Sequence, residues 1–149
     1  MKPVVPAAVA LAVVGAFATA VHAQSADRQI KYRQAVMTAQ GWHIGVLSSM
    51  AKGERPYDKD IAVRSATFVA ELSAMPWDGF GPGSETGAPT KAKPEIWKDR
   101  AKFDKYGQDL KAEATKLAST AGNGLDALRA GVGATGKVCA GCHDDFRSK

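Results

Sequence analysis

Apolar residues recur at steps of three and four through most of the chain, and no stretch alternates apolar and polar positions over a useful length. This periodicity is typical of helices that bury one face, so we predict an all-α protein built from four helices. The residues that form the four apolar stripes are Ile30, Met37, Ile44, Leu47 and Ala51, then Ile61, Phe68, Leu72 and Met75, then Ile96, Phe103, Leu110 and Leu117, and finally Leu125, Leu128, Val132, Thr135, Cys139, Cys142 and Phe146.

Polar caps, prolines and a glycine mark where these helices begin and end. Asp58 is placed to cap the start of the second helix, and Pro76 stops it. The third helix begins near Pro94, since proline is favoured in a first turn, and Gly122 ends it. Apolar stripes of this length favour an antiparallel, up-down-up-down four-helix bundle.

The link between the second and third helices, Pro76 to Lys93, is long and rich in glycine and proline. A loop of this length in a small domain is usually functional or disordered. Its aromatic residues Trp77 and Phe80 favour packing of part of the loop. They cover either the flat face of a cofactor or the open end of the bundle.

The fourth helix carries Gly131, Gly133 and Gly136 in its interior, each unfavourable by about 1 kcal/mol relative to alanine. Such glycines are tolerated where a bulky group approaches the backbone, which a bound macrocycle would do. A bend in the helix is the alternative.

The N-terminus has the pattern of a cleaved export signal. Lys2 precedes an apolar stretch from Val4 to Val21, and Ala23 ends an Ala-x-Ala-like site. We therefore expect a signal peptide over residues 1–23, export of the chain, no membrane span, and one mature domain over residues 24–149. The formal charge of +5 is mild and accompanies no basic stripe with interleaved aromatics, so nucleic acid is not an expected partner.

The chemistry of the chain is concentrated near its C-terminus, where its two cysteines stand in the sequence "CAGCH". A Cys-x-x-Cys pair serves redox, zinc or haem sites. A structural zinc site needs further ligands, and only His22 and His43 remain in the chain. A thioredoxin-like centre needs a βαβ pattern, which is absent. We therefore predict one haem c per chain, bound through Cys139 and Cys142, with His143 as an axial ligand of the iron.

The first helix offers residues for the other face of the haem. Met37 lies about 40° from Arg33 and about 60° from Gln34 around the helix, so these three share a patch. Arg33 is a charge in an apolar stripe, where a haem propionate would pair with it. Met37 is either simple core packing or a second axial ligand. His43 lies about 120° from Met37, so we expect it on the flank of the helix and not at the iron.

Arg147 follows His143 by one helical turn. It either lies beside the axial imidazole as a fixed cation or complements the dipole at the end of the helix.

Four segments together resemble the cytochromes c′, the class II c-type cytochromes. These are Tyr32–Gln34, the "PW..FGPG" loop at Pro76–Gly83, "PEIW" at Pro94–Trp97, and the terminal Cys-x-x-Cys-His-x-x-x-Arg. The resemblance covers nearly the whole predicted mature chain. It implies a four-helix bundle with one covalently attached haem in its core.

On the proximal side, the resemblance implies that Cys139 and Cys142 hold the haem covalently, that His143 is the iron ligand, and that Arg147 packs beside it. On the distal side, it implies that Arg33 and Gln34 contact the propionates and that position 37 faces a vacant coordination site. Typical members are periplasmic, are often dimeric through their first helices, and bind NO and CO at a five-coordinate iron. We therefore expect diatomic gases and redox proteins as partners.

Methionine at position 37 leaves two functions open. A low-spin branch of class II uses a methionine here as sixth ligand, and "AKGERPYD" and "RAKFD" are similar to that branch, whereas the Pro76–Gly83 loop is similar to the high-spin one. The first function is gas binding in a dry pocket without a hydrogen-bond donor. The second is electron transfer by a His/Met-ligated haem. A peroxidase-like enzyme is not expected, because no His, Asp or Glu shares the Met37 patch.

Overall fold

The protein is an all-α bundle in this computed structural model, which describes residues 8–149 of the chain, with side chains described from residue 26 onward. Its helices are α1 (Ala8–Ala51), α2 (Lys59–Ser73), α3 (Glu95–Lys98), α4 (Arg100–Thr120) and α5 (Leu125–Phe146), with a 3₁₀ turn at Pro76–Phe80. The four long helices form a ring in which α1 packs on α2 and α5, and α4 packs on the same two helices. The predicted bundle is confirmed.

The predicted signal peptide, residues 1–23, lies in the part of the chain for which no side chains are described, and residues 1–7 lie outside the described residues altogether. It therefore stays a prediction. Among the residues that the structure describes, no helix has the length and apolar character needed to cross a membrane.

The start of α2 is as predicted, but its buried face is not. The Asp58 carboxylate accepts a hydrogen bond from the Ile61 amide at 2.9 Å and caps the helix. Phe68 and Met75, expected in the core, are 41% and 40% exposed. The buried face consists of small residues, namely Ala62, Ser65, Ala66, Val69 and Ser73. Small side chains allow neighbouring helices to approach closely, and the apolar pattern alone selected the larger residues.

The predicted third helix is divided in two. Asp99 leaves helical geometry, with φ −119° and ψ 62°, and its carboxylate accepts from the Lys102 amide to start α4. Ile96 on α3 and Phe103, Leu110 and Leu117 on α4 are all buried, as the periodicity predicted. The break at Asp99 separates α3 from α4, and the apolar stripe that runs through both helices stays in the core.

The core has two parts. One is aliphatic and joins all four long helices around Leu47, Val69, Leu117 and Leu128. The other is aromatic, and its buried members are Phe80, Ile96, Phe103 and Phe146. The rings of Phe80 and Phe146 meet that of Phe103 edge-on at centroid distances of 4.8 and 5.4 Å. The aromatic part includes Phe80 from the long loop, so the loop is packed and not merely a connection.

Only one of the three helix-interior glycines has a packing reason in the described structure. A Cβ at Gly131 would stand 2.8 Å from Cδ1 of the buried Leu117, so glycine allows α5 to lie close to α4. A Cβ at Gly133 or Gly136 would meet no described atom within 4 Å. The α5 helix continues through all three positions.

Candidate haem-binding site

A cavity of about 500 Å³ opens between α1, α4, α5 and the long loop. Its walls are mostly apolar and aromatic, from Met37 and Ile44 on α1 to Phe103 and Leu110 on α4. All the residues predicted to bind the cofactor line this cavity, namely Arg33, Gln34, Met37, Cys139, Cys142, His143 and Arg147. The structure therefore brings together residues that lie more than a hundred positions apart in sequence.

The two cysteines and the histidine enter the cavity from α5, because positions i, i+3 and i+4 share one face of a helix. Both thiols are half-buried and are not joined in a disulfide. Burial raises the pKa of Cys139, and burial, with smaller contributions from Cys139 and Asp145, raises the pKa of Cys142 to about 11. Both sulfurs are therefore held as neutral thiols near neutral pH.

The imidazole of His143 favours its neutral form. Partial burial of the ring lowers its pKa, and the guanidinium of Arg147 lowers it further, against a weaker opposite effect of Asp144. The residue nevertheless remains accessible. Neutral imidazole is the form that binds a metal ion, so the surroundings of His143 suit a ligand.

Arg147 reaches the cavity from just beyond the helix. Its backbone is extended, with φ −124° and ψ 129°, while its amide still donates to the His143 carbonyl at 3.0 Å. The chain after α5 pairs with the end of the long loop through an Ala92–Arg147 bridge and the Ser148 amide, which donates to the Lys91 carbonyl at 2.8 Å. Arg147 is close enough to His143 to affect its pKa, which favours the first of the two alternatives, although Arg147 is not part of the helix.

Arg33 is the principal anchor of the long loop. Its side chain is buried, with 2% exposure, and Nη1 donates to the carbonyls of Gly79 (2.7 Å) and Ser84 (3.0 Å) and to the Ser84 hydroxyl. Nη2 donates to the Thr90 hydroxyl at 3.0 Å, and the guanidinium lies 4.5 Å from the centroid of Phe80. Burial lowers the pKa of Arg33, yet guanidinium stays protonated in proteins. Sequence analysis predicted a cofactor contact and missed this structural role.

Gln34 and Trp77 also make hydrogen bonds that hold the long loop in place. Gln34 Nε2 donates to the Pro89 carbonyl at 2.9 Å, one residue before Thr90. The Trp77 indole donates to the Ser73 carbonyl at 2.7 Å, and both Trp77 and Phe80 line the cavity. Of the two alternatives for these aromatics, the structure favours the one in which they face a cofactor site.

His43 does not line the cavity. Its ring stacks on Phe68 with centroids 4.8 Å apart, on the side of α1 that meets α2. The expectation that His43 lies on the flank is confirmed.

Gln40 on α1 and Tyr106 on α4 are among the cavity residues that sequence analysis missed. Gln40 is three residues after Met37 and belongs to the same stripe, so helical spacing could have found it. The prediction of a pocket without a hydrogen-bond donor is wrong, because the buried amide of Gln40 lines the cavity.

Tyr106 donates its hydroxyl to Asp145 Oδ2 at 2.9 Å, and Lys102 Nζ lies 2.9 Å from the same oxygen. Nothing in the spacing of Tyr106 and Asp145 indicates that pairing.

The residues of the cavity fit a haem. Apolar walls suit the macrocycle, two thiols and one imidazole stand on one helix face, and the cations Arg33, Lys91 and Arg147 can meet its carboxylates. No Asp or Glu lines the cavity. Among the described residues, no group of three or more His, Cys, Asp or Glu could hold a metal ion directly, so an iron here needs the macrocycle for its other ligands.

Comparisons with known proteins agree with this site. Residues 28–147 match the family model described as Cytochrome C′. The chain is 40% identical over 121 residues to cytochrome c′ of Alcaligenes xylosoxydans xylosoxydans, an alignment that covers 80% of this chain and 93% of the relative. The crystal structure of cytochrome c′ from Rubrivivax gelatinosus, 36% identical, aligns with a TM-score of 0.77 over 80% of this chain and 94% of that one.

A nitric oxide complex of a single-residue variant of cytochrome c′ from Alcaligenes xylosoxidans is similar as well. It is 38% identical and aligns with a TM-score of 0.76 over 83% of this chain and 96% of that chain. The bundle, the terminal "CAGCH" on α5 and the family match over most of the chain lead to one conclusion: the protein belongs to the cytochrome c′ family of c-type haem proteins.

Proposed function

We propose that the protein carries one covalently bound haem c per chain, binds small neutral gases such as NO and CO at a five-coordinate iron, and exchanges single electrons with redox partner proteins. The observation that carries this proposal is the cavity itself. It is lined by Cys139, Cys142 and His143 from α5 and by Met37 from α1.

Each residue has a defined part in holding the group. Cys139 and Cys142 would hold the haem through thioether bonds, and His143 in its neutral form would bind the iron. Arg147 keeps a positive charge beside that imidazole, and Arg33 and Gln34 lie where propionates would meet the protein. The bound group supplies an iron that takes a diatomic ligand and changes its oxidation state by one electron.

Apolar residues on the α1 side favour neutral ligands. Met37 and Ile44 give that wall a low polarity, which admits a neutral diatomic at less desolvation cost than a charged molecule. The related nitric oxide complex supports the same ligand class for this chain. No peroxidase-like activity is expected, since no Asp or Glu lines the cavity to act as a distal acid or base.

The alternative function uses Met37 as the sixth ligand and makes the protein a low-spin electron carrier. Met37 lines the same cavity as His143 and packs against its aromatic cluster, so its sulfur is on the correct helix for this role. A His/Met pair raises the reduction potential and closes the site to gases.

Absorption spectra of the ferric and ferrous protein, followed by CO addition, separate the two functions. A broad, high-spin ferrous band that shifts promptly with CO is the expected result. Sharp low-spin bands indifferent to CO would instead establish the electron carrier. Met37→Ala then leaves the spectrum nearly unchanged in the first case and removes the far-red sulfur-to-iron band in the second. Met50→Ala is the matched control, since Met50 is fully buried on α1 but does not line the cavity.

We also propose that the chain is exported to the periplasm after removal of residues 1–23. The charged start, apolar stretch and Ala-x-Ala-like site support this proposal. Covalent attachment of haem to the two cysteines agrees with it, because free thiols would otherwise be oxidised outside the cytoplasm. N-terminal sequencing of the protein from a periplasmic extract is expected to begin at Gln24. A mature chain that begins at Met1 would contradict export by this signal.

Finally, we propose a homodimer formed through α1 and α2. The outer face of these helices exposes large apolar side chains, with Trp42 73% exposed and Phe68 and Met75 near 40%. Tyr32 on the same side donates its hydroxyl to the Met75 carbonyl at 3.1 Å and so joins the two helices. These exposed large apolar side chains on two neighbouring helices support the proposal.

A further inference from the structure

Gln40 is a buried amide that the fold hardly uses. Its side chain is 5% exposed and lines the cavity one turn along α1 from Met37. Its Nε2 makes one long hydrogen bond, 3.4 Å to the Val69 carbonyl of α2. Its Oε1 accepts no hydrogen bond among the described residues. A glutamine amide can make about four hydrogen bonds, so most of this capacity is unused.

Burial of an underused amide is unfavourable, and an apolar residue of similar size would pack here at lower cost. Its neighbours on the same wall, Met37 and Ile44, are apolar. The other cavity amide, Gln34, differs in both respects, because it is exposed and bonded to the Pro89 carbonyl at 2.9 Å. Gln34 therefore has a structural reason to be polar, whereas Gln40 has little.

The charges around the cavity add an independent indication. Arg33, Lys91 and Arg147 line it, and no carboxylate does. The two propionates of a bound haem would offset at most two of these three cations, and in a partly enclosed site with low-polarity walls the remaining positive charge raises the local concentration of anions. A donor amide placed in such a field is suited to a ligand that carries negative charge on its outer atom.

We propose that Gln40 determines ligand specificity at this site, by donating an Nε2–H hydrogen bond to the iron-bound ligand and thereby admitting small anions at the ferric iron besides neutral gases. The proposal rests on the proposed function, since it needs an iron with an open coordination position. The amide turns from its long contact with Val69 to the ligand, which costs little because that contact is weak.

Fluoride is the probe, because it accepts hydrogen bonds strongly and changes the spectrum of ferric high-spin haem on binding. The measurement is the fluoride dissociation constant of the ferric holoprotein, in parallel with the CO affinity and the C–O stretching frequency of the ferrous complex. The variants are Gln40→Leu and Gln40→Met, two apolar replacements, so that a failure of one to fold leaves the other. Gln108→Leu is the control, an exposed amide on α4 that does not line the cavity.

The expected result is that both Gln40 variants weaken fluoride binding about tenfold or more, which corresponds to ~1.4 kcal/mol. Their CO affinity stays within about twofold of the wild type, because CO accepts hydrogen bonds poorly. Their C–O stretch shifts to higher frequency, since the donor is lost, and Gln108→Leu changes none of these values. Unchanged fluoride affinity and an unchanged C–O stretching frequency in the Gln40 variants would overturn the proposal. An equal loss of affinity for fluoride and for CO would overturn it as well.

The same experiment distinguishes this proposal from the one on which it rests. If the wild type binds neither CO nor fluoride, the five-coordinate iron is wrong. The comparison is then made in the Met37→Ala background, where the coordination position is open. A Gln40-dependent fluoride affinity in that background would support the role of Gln40 even though the gas-binding function had failed, and its absence there would refute it.

Discussion

Gly141, between the two cysteines, lies directly against the ring of Tyr106: a Cβ at this glycine would stand 3.2 Å from both Cε1 and the phenol oxygen. The Tyr106 hydroxyl is held by Asp145 at 2.9 Å, on the same helix as Gly141. The ring therefore cannot move away without loss of that hydrogen bond. Close contact with α4 thus sets the position of the helical turn that carries Cys139, Cys142 and His143.

Alanine substitutions of the α5 glycines test this contact. Gly136→Ala, at a position with no described neighbour within 4 Å of the new methyl group, is expected to raise the free energy of unfolding by about 0.5–1 kcal/mol. Gly141→Ala is expected to lower it, because the methyl group displaces Tyr106. Urea unfolding of both variants gives the comparison. Equal stabilisation by the two substitutions would show that the Tyr106 contact is not restrictive.

Arg33 is expected to determine the stability of the long loop. Arg33→Met leaves the carbonyls of Gly79 and Ser84 without their donor and is expected to cost about 3 kcal/mol of unfolding free energy. Limited proteolysis should then cut between residues 81 and 90 faster than in the wild type. Arg64→Met, at an exposed position on α2, is the control and should change stability by less than about 0.5 kcal/mol. A loop that stays protease-resistant in Arg33→Met would contradict the anchor.

Much of this architecture could be predicted from sequence, because it depends on local rules. The Asp58 cap, the buried stripe of α4 and the face shared by Cys139, Cys142 and His143 all follow from helical spacing and side-chain chemistry. One wrong prediction concerns α2, where Phe68 and Met75 were assigned to the core. Which of two possible faces a helix buries depends on the helices beside it, and small residues such as Ala62 and Ala66 give little signal in an apolar pattern.

Contacts between residues far apart in the chain could not be predicted from the sequence, for a different reason. The hydrogen bonds from Arg33 to Ser84 and from Tyr106 to Asp145 join residues 51 and 39 positions apart. Neither separation has a period that a helix or turn imposes. The buried, charged Arg33 in an apolar stripe did indicate an unusual partner, but an anion and a set of loop carbonyls satisfy a guanidinium equally well.

The Tyr106–Asp145 hydrogen bond is expected to make stability depend on alkaline pH. That bond, followed by burial and the charge of Asp145, raises the pKa of Tyr106 above its usual value near 10. A raised folded-state pKa gives stability that is complete below the unfolded pKa and is lost as the pH rises through the folded one. Tyr106→Phe is therefore expected to be less stable than the wild type at pH 8, and the difference should shrink well above pH 10.

Denaturant unfolding at a series of pH values measures this dependence. Lys102, whose pKa is raised by Asp145 and also by Tyr106, remains in both proteins, so the difference between the two curves reports Tyr106 together with its coupling to Lys102. A constant difference from pH 8 to pH 12 would mean that Tyr106 contributes packing alone.

The proposed homodimer makes a prediction about the exposed side of α1 and α2. Trp42→Ser and Phe68→Ser remove the two large rings of that face, and each is expected to weaken association by about tenfold or more, since a central aromatic residue often dominates an interface. Sedimentation equilibrium over a range of protein concentrations measures the effect. Ala112→Asp, at an exposed position on α4, controls for a general effect of surface polarity and should leave association unchanged.

If the wild type is monomeric at every concentration, or if Ala112→Asp weakens association as much as the serine variants do, the interface does not lie on this face. Because neither ring lines the haem cavity, the absorption spectrum of both serine variants should match that of the wild type.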